Sequence, residues 1–281
     1  ELDLISNGWS GLSFGGETPT TNLYQYSNWR DPVTVQANGT LTILGAQTAA
    51  AGSNTSFTVN LGYSAGGSTN INADIDMRPA TGGTGSITLS GATHYGQGSA
   101  HLISANLYSG SGGINIDKTV TSTGASGAYQ YFNAGTGTIT ITDNGTNRRG
   151  SVSGTNQYLR FQADDFAIGG AITGTSNGWA WFETNTTSRS MGIAGATGQA
   201  QLSNTELDLV TGWGRVDLTS GTGGTNVNSR TWPSSTTYFF NSTGLVSILQ
   251  NQSFTGSSVF FQGLDYNIVG NLTQVGGGSL N

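Results

Sequence analysis

Cysteine is absent from the 281-residue sequence, and lysine, arginine and proline are few, with 9 basic residues and 4 prolines. Without cysteine, disulfides and thiolate metal sites are excluded, although an oxidising compartment is not. Lys118 is the single lysine, and no basic run exists beyond Arg148 and Arg149. A net charge of −6 argues against nucleic acid as a partner, because such binding requires a surface that neutralises phosphates. No stretch approaches about 18 consecutive apolar residues, so we predict no membrane insertion of this segment.

Charged residues are also scarce, at 9% of the chain, against about 25% in an ordinary globular domain. Glycine is abundant instead, with 45 residues, and much of the remainder is threonine, serine and asparagine. Low charge and high glycine are typical of disorder, but disordered chains lack the 10% aromatic content found here. The composition therefore indicates an ordered protein whose surface is solvated by hydroxyl and amide groups.

Short runs that alternate apolar and polar side chains recur along most of the chain. Examples lie at residues 40–44, 86–90 and 138–142, each bounded by glycine, asparagine, serine or threonine. Such alternation predicts β-strands, and the turn-forming residues predict where the strands end. The prolines fall outside the strongest runs, and stretches with helical periodicity are nearly missing. We therefore predict an all-β protein without the helical crossovers of βαβ units.

Internal repetition favours one all-β architecture over another. The first five residues, ELDLI, recur at 206–210 as ELDLV, and related acidic or amide steps lie near residues 74, 106 and 265. Their irregular spacing suits coils of about 20 residues with variable loops. We predict a right-handed parallel β-helix (a solenoid), in which residues 1–281 form a single segment of a larger repeat protein. A stack of β-sandwiches is the alternative.

A β-helix accounts for the composition as well as for the strands. Each coil adds one rung to each sheet, so inward isoleucine, valine, leucine and phenylalanine stack on neighbours about 4.8 Å away. Threonine, serine and asparagine then face outward, and glycine occupies corners where the chain turns with positive φ. A sandwich explains the strands but not the recurring step and turn.

Three stretches resemble the filamentous-haemagglutinin-type large exoproteins. They are residues 202–218 (LSNTELDLVTGWGRVDL), residues 227–248, and residues 2–16 followed by 32–45. The first is similar to the family's unit of an acidic residue and leucine followed by glycine and an apolar strand. The second resembles its segment of tryptophan, polar turn and apolar strand. The resemblance implies a right-handed β-helix that is exported by the two-partner or autotransporter route and acts as an adhesin or stalk.

The predicted function is that of a non-catalytic, extracellular segment of a bacterial cell-surface protein, structural or adhesive, which displays its loops for contact. Its expected partners are neighbouring repeats or self-stacking copies, because the sequence begins and ends inside repeats, at Glu1 and at 276–279. Glycans or proteins on host or neighbouring cells are further expected partners. No cofactor, metal site or catalytic residue is predicted. The alternative is a β-helical carbohydrate-active enzyme, a polysaccharide lyase or hydrolase, although scarce lysine and scattered arginine argue against lyase chemistry.

Two acidic pairs are the residues that such an enzyme would use, Asp74 with Asp76 and Asp164 with Asp165. Paired carboxylates perform acid–base work in glycoside hydrolysis or bind Ca²⁺. On a strand Asp74 and Asp76 share one face, whereas Asp164 and Asp165 point to opposite faces. The favoured interpretation of both pairs is structural, with each aspartate capping backbone amides at a coil corner.

The histidines and tryptophans complete the set of candidates. His94 and His101 have glycine between them, which favours a polar loop over a metal or hydrolase site. Trp179 and Trp181 share one face of a predicted strand and are the candidate ligand-binding residues, since an exposed pair suits stacking against sugars. Burial of at least one of these two in the core is favoured. The remaining tryptophans are expected to close coil corners or to cap the core: Trp9, Trp29, Trp213 and Trp232.

Overall fold

In the computed structural model, successive turns of the chain stack as the coils of a solenoid. The structure describes residues 8–16, 20–37, 39–61, 68–78, 83–90, 99–146 and 148–281. These residues form 33 short strands and one helix of five residues. One sequence candidate, His94, lies outside the described residues.

The first seven coils contain three strands each. In chain order they are β1 (Leu12–Gly16), β2 (Thr20–Leu23), β3 (Tyr26–Trp29), β4 (Val33–Ala37), β5 (Thr40–Ile43), β6 (Gln47–Ala49), β7 (Ser56–Asn60), β8 (Ser68–Ile71), β9 (Ile75–Met77), β10 (Ser86–Ser90), β11 (Ser99–Leu102), β12 (Leu107–Ser109), β13 (Ile114–Ile116), β14 (Thr119–Ser122), β15 (Tyr129–Asn133), β16 (Thr138–Ile141), β17 (Ser151–Gly154), β18 (Tyr158–Ala163), β19 (Asp165–Ile168), β20 (Ile172–Thr173) and β21 (Trp179–Thr184).

The later coils are less regular, and the first of them includes the helix. Their elements are β22 (Met191–Ile193), β23 (Ala200–Leu202), α1 (Asn204–Asp208), β24 (Val210–Thr211), β25 (Arg215–Ser220), β26 (Thr225–Val227), β27 (Arg230–Trp232), β28 (Thr237–Ser242), β29 (Leu245–Ile248), β30 (Gln252–Thr255), β31 (Ser258–Gln262), β32 (Asp265–Ile268) and β33 (Leu272–Val275).

Each regular coil contributes one strand to each of three sheets. Sheet A has the order β1-β4-β7-β10-β13-β16-β19, sheet B the order β2-β5-β8-β11-β14-β17-β20-β24, and sheet C the order β3-β6-β9-β12-β15-β18-β21-β25-β28-β31. The stack continues in sheet D, β23-β22-β26-β29-β32, and sheet E, β27-β30-β33. Paired strands run parallel, as in β10 with β13 and β18 with β21. This arrangement is a parallel β-helix, which confirms the predicted fold class and excludes the stack of sandwiches.

The core is a set of stacked columns of apolar side chains. In β16 the inward Ile139 and Ile141 are buried, and Thr138 and Thr140, which alternate with them, face outward. Ile114 pairs with Ile87 on one side and with Ile139 on the other, so that identical side chains of successive coils stack on one another. Each fully buried side chain of this size contributes about 1.5–3 kcal/mol. The predicted inward columns and outward hydroxyl rows are therefore confirmed.

Coil length varies because the loops between the strands vary. Thr20 and its pairing partner Thr40 are 20 residues apart, whereas Ile172 and Val210 are 38 apart. The predicted length of about 20 residues is thus the short end of the range. At one corner Gly113 has φ +78°, and a Cβ there would lie 2.4 Å from the Thr138 carbonyl oxygen, so glycine is required.

Buried tryptophans close three corners. Trp29, Trp213 and Trp232 are each at most 2% exposed, whereas Trp9 is 56% exposed and closes no part of the described core. Buried indole N–H groups require an acceptor. The three indoles are held by side-chain or backbone oxygens of an adjacent coil.

Buried glutamines supply two of those acceptors. Trp29 Nε1 donates to Gln47 Oε1 at 3.1 Å, and Trp232 Nε1 donates to Gln252 Oε1 at 3.0 Å. Each glutamine Nε2 donates in turn to two backbone carbonyls, one in the preceding coil and one two residues earlier in its own coil. The corner between sheets B and C, at Gln47, and the corner between sheets D and E, at Gln252, are therefore each tied across coils by a side-chain amide.

The regular stacking is interrupted by residues 194–209, which we call the junction segment. It contains β23 and α1 and lies where sheets A and B give way to sheets D and E. Strand β23 lies against β19, and carboxylates connect β19 to the junction segment: Asp165 Oδ1 accepts from the Gln201 amide of β23 at 3.1 Å, and Glu206 Oε1 of α1 accepts from the Ile168 amide at 2.9 Å. Sheet C continues past the junction segment through β21, β25 and β28.

Glu206 holds this interruption together, and its replacement by alanine is expected to destabilise the protein by about 1–2 kcal/mol. Its second oxygen accepts from the Ser203 amide at 2.8 Å while Ser203 Oγ accepts from the Glu206 amide, which forms a capping box. The substitution leaves two amides without their acceptors. Urea unfolding measures the loss, and Thr205→Ala, an exposed change in the same helix, is the control expected to stay within about 0.5 kcal/mol. Equal effects of the two substitutions would contradict the assignment.

Candidate contact surface

The outer face of sheet C differs from the hydroxyl rows found on other outer faces. Strands β15, β18, β21, β25, β28 and β31 place large aromatic and arginine side chains at their outward positions. We call this set the aromatic strip; it consists of Tyr129, Tyr131, Tyr158, Arg160, Trp179, Trp181, Arg215, Asp217, Phe239 and Phe260. Most of these side chains are half-buried, because each covers part of the next.

One column of the strip is a continuous stack along the solenoid. Tyr129 meets Tyr158 edge-on with ring centroids 5.0 Å apart, and Tyr158 stacks on Trp179 at 4.4 Å. The Arg215 guanidinium lies 4.3 Å from the centroid of the Trp179 ring. Both faces of this indole are therefore covered, and it presents its edge to solvent.

The second column alternates rings with charged groups. The Arg160 guanidinium lies between the rings of Tyr131, at 5.4 Å, and Trp181, at 4.5 Å. Further along, Phe239 stacks on Phe260 at 4.5 Å with nearly parallel planes. Stacked rings and cation–π contacts of this kind contribute about 0.5–1.5 kcal/mol each, so the strip is a rigid surface.

An ion pair joins the first column to the second. Arg215 donates to both carboxylate oxygens of Asp217, at 2.6 and 2.7 Å, and stacks 3.7 Å from the centroid of the Phe239 ring. The Asp217 side chain is only 4% exposed. Burial raises the pKa of Asp217 above its ordinary value, and the hydrogen bonds and positive charge of Arg215 oppose that rise. Arg215 thus stabilises the charged form of the Asp217 carboxylate at a position where burial disfavours charge.

Glu183 is the other carboxylate on this part of the sheet. It forms an ion pair with Arg160, whose Nε donates to Glu183 Oε2 at 2.7 Å. Trp181 pairs with Asp217 and Glu183 with Thr219 in the register, so Glu183 and Asp217 are diagonal neighbours. The indole Nε1 of Trp181 donates to Thr219 Oγ1 at 2.9 Å, which places the ring across that diagonal. Each carboxylate is therefore neutralised by its own arginine and separated from the other by an indole.

The two candidate tryptophans, Trp179 and Trp181, both lie on the outer face of β21, with Ala180 and Phe182 buried on the inner face. The prediction that they share one face is confirmed, and the expectation that at least one is in the core is wrong. The reason is the register, since Phe182 continues a column of stacked phenylalanines and so fixes which side chains face inward. Both residues belong to the aromatic strip.

Asp74 and Asp164 lie between strands and cap backbone amides of the next coil, as predicted, whereas Asp76 and Asp165 lie within strands β9 and β19 and not at corners. Asp164 accepts from the Thr186 amide and hydroxyl, at 2.7 and 2.6 Å, and Asp165 accepts from the Gln201 amide at 3.1 Å. Asp74 accepts from the backbone and side-chain amides of Asn106, in the next coil. Asp76, the partner of Asp74, forms an ion pair with Arg78. All four carboxylates are thus used in local or inter-coil hydrogen bonds.

His101 lies on the outer face of β11, between Asn70 and Thr121 of the adjacent coils. The polar loop expected for it is wrong, because Ala100 and Leu102 fit the inward column and complete a strand. Among the described residues no group of three or more histidine, aspartate and glutamate side chains is arranged to hold a metal ion. In the same part of the chain, the one short helix is far from the length and apolarity of a membrane span.

Sequence reasoning missed most of the aromatic strip, including Arg160, Arg215 and Asp217. The sequence does contain an indication of this surface. In Trp179-Ala-Trp-Phe182 large side chains occupy both the inward and the outward positions of the strand, and the same is true of β18 and β28. Large side chains at both the inward and the outward positions of a strand are typical of a strand whose outer face is also partly buried. Arginine and aspartate two residues apart, as in β25, are the further sign of an ion pair on one face.

Comparison of the chain with models of protein families, with curated proteins and with solved structures gave no significant match.

Proposed function

We propose that this chain is a non-catalytic segment of a large bacterial surface protein, and that the aromatic strip is its adhesive contact surface. The observation that carries the proposal is the strip itself, a rigid set of tyrosine, tryptophan and arginine side chains on one face of a solenoid. Tyrosine, tryptophan and arginine dominate the energetics of binding interfaces. A contiguous, partly exposed apolar surface on a soluble protein marks an interaction site.

The chemistry of the strip suits glycans or proteins at a cell surface. Its two arginines are paired with Glu183 and Asp217, so the surface carries no excess of charge. Tyr129 is exposed and Tyr131 and Tyr158 are half-buried, while neighbouring rings and guanidinium groups cover ring faces of the strip. Contacts of this kind are amphipathic and not ionic. The sequence resembles the haemagglutinin-type exoproteins, and presentation outside the cell, as in that family, would place these contacts at the cell surface.

The alternative is a β-helical carbohydrate-active enzyme. The observation that favours it is the raised pKa of Asp217 on the same face as Glu183, since a glycosidase acid requires a raised pKa. Against it, Arg160 and Arg215 already hold these two carboxylates, and the indole of Trp181 lies between them. The adhesive function therefore has the stronger structural support.

Replacing Trp181 with alanine is expected to reduce adhesion about tenfold or more, because the indole lies at the centre of the strip and contacts both Arg160 and Thr219. The measurement is retention of the purified segment on a printed array of cell-surface oligosaccharides and on fixed bacterial and epithelial cells.

Tyr24→Ala is the matched control for this experiment. Tyr24 is 68% exposed and lies outside the strip, so its loss removes an aromatic ring without touching the proposed surface. Retention within twofold of the unsubstituted protein is expected for the control. Equal retention of both variants would show that the strip is not the contact surface, and release of reducing sugar from the arrayed polysaccharides would favour the enzyme.

A further inference from the structure

We propose that a pocket beside the junction segment binds one neutral pyranose ring. The pocket is separate from the aromatic strip, and its volume is about 160 Å³. It lies between two connections, the one from β24 to β25 and the one from β27 to β28. Its existence follows from the interrupted stack, because β24 ends sheet B and β27 begins sheet E, with no ladder between them among the described strands. Where strands of successive coils pair, the ladder holds them about 4.8 Å apart.

The walls of the pocket are amphipathic. Buried Val210, Trp213 and Tyr238, together with Pro233, form an apolar floor. Hydroxyl groups of exposed residues surround the opening. The described residues that line the pocket include no charged side chain. A ligand that matches this lining is uncharged, with an apolar face and a hydroxylated edge.

The floor is fixed in place before any ligand arrives. Trp213 Nε1 donates to the Ile172 carbonyl at 3.1 Å, and Thr236 Oγ1 donates to the Trp213 carbonyl at 2.9 Å. A pre-formed site avoids the entropic cost of ordering side chains on binding.

The volume selects a single ring. A cavity of about 150 Å³ accommodates one benzene molecule, so a space of this size takes one six-membered ring and no more. A pyranose is a six-membered ring, and because the pocket is open on one side its C–H face can lie on the floor while its hydroxyl groups extend through the opening. The geometry therefore fits one sugar unit better than an aliphatic chain or an ion.

The backbone conformation of Ser235 gives an independent reason to assign a ligand-binding role to the hydroxyl groups at the opening of the pocket. Thr237 pairs with Ser258, so Ser235 and Gly256 occupy equivalent positions in successive coils. Both have a left-handed backbone, with φ +67° and +62°. Glycine meets that requirement without strain, whereas serine does not. The coil that lines the pocket retains a hydroxyl side chain where the next coil has none.

The test uses the full chain, with the methyl pyranosides of glucose, galactose, mannose and N-acetylglucosamine as probes. Saturation-transfer NMR detects binding, and titration measures the affinity. At least one probe is expected to bind. Ser234→Trp fills the opening and is expected to lower the affinity tenfold or more. Its matched control is Thr231→Trp, on the exposed outer face of β27, which is expected to stay within twofold.

Ser235→Gly distinguishes a binding role from a structural one. It relieves the positive-φ strain, so the melting temperature is expected to hold or rise, while loss of the hydroxyl lowers the affinity about fivefold. The pocket assignment is overturned if no probe binds, or if Ser234→Trp and Ser235→Gly leave the affinity unchanged. Trp181→Ala is expected to leave this affinity unchanged, so failure of the adhesive proposal and failure of this one are separable.

Discussion

Replacing Phe161 with alanine is expected to lower the free energy of unfolding by about 3–5 kcal/mol. Phe161 is fully buried between Phe132, at 5.0 Å, and Phe182, at 5.1 Å, in a column of three stacked rings. Removal of the ring loses the free energy of burying its apolar surface. It also leaves a cavity, because the three surrounding sheets are held by their ladders and cannot move inward to fill it. In a solenoid each coil is stabilised by its neighbours, so the cavity weakens both interfaces of this coil.

Urea unfolding followed by circular dichroism measures this loss. Thr140→Ala is the control, because Thr140 lies on the outer face of the neighbouring strand β16 and contributes little area to the core. The control is expected to stay within about 0.5 kcal/mol of the unsubstituted protein. A loss below about 1 kcal/mol for Phe161→Ala would mean that the ring column does not stabilise the stack as described.

Replacing Arg215 with methionine is expected to cost about 3–5 kcal/mol at pH 7, because it leaves the Asp217 carboxylate buried without a partner. Methionine retains an unbranched side chain between Trp179 and Phe239, so packing changes little. In the double variant Arg215→Met with Asp217→Asn the charge is also removed, and most of the loss is expected to be recovered.

The pH dependence of the single variant has a definite sign. The folded-state pKa of Asp217 is raised, first by burial, and loss of Arg215 removes the groups that oppose the rise. The folded protein then binds the proton more tightly than the unfolded chain, so stability falls as the pH rises from about 3.8 toward the folded pKa. Arg215→Met is therefore expected to regain stability on acidification, whereas the double variant is not. A loss independent of pH would assign the effect to packing alone.

The fold could be predicted from the sequence because its main signal is local. Alternation in runs such as 138–142 marks both the strand and its inward side chains, and short polar turns exclude long crossovers. The recurring step then distinguishes stacked coils from sandwiches. The junction segment could not be predicted, because a capping box such as that of Ser203 and Glu206 marks a helix but not its place between two rungs.

The candidate site was only partly predictable. Trp179 and Trp181 were identified, but whether they face inward depends on the register of Phe182 against the previous coil, which is a non-local property. His101 was misassigned for the same reason, since its strand is defined by pairing with β8 and β14. The contacts of Arg160 and Arg215 join residues of different coils, so no single stretch of sequence contains them.

The strand β23 has a consequence for the shape of the molecule. In space, β23 and β22 lie between β19 and β26, which makes three steps, whereas sheet C takes only two steps from β21 to β28. Each ladder step is about 4.8 Å, so the additional strand gives this side roughly one more rung than sheet C. A column that is longer on one side curves toward the other, so we expect the solenoid axis to bend toward sheet C. The aromatic strip then lines the inside of a curve, where a rounded or chain-like partner makes more contact than a flat one.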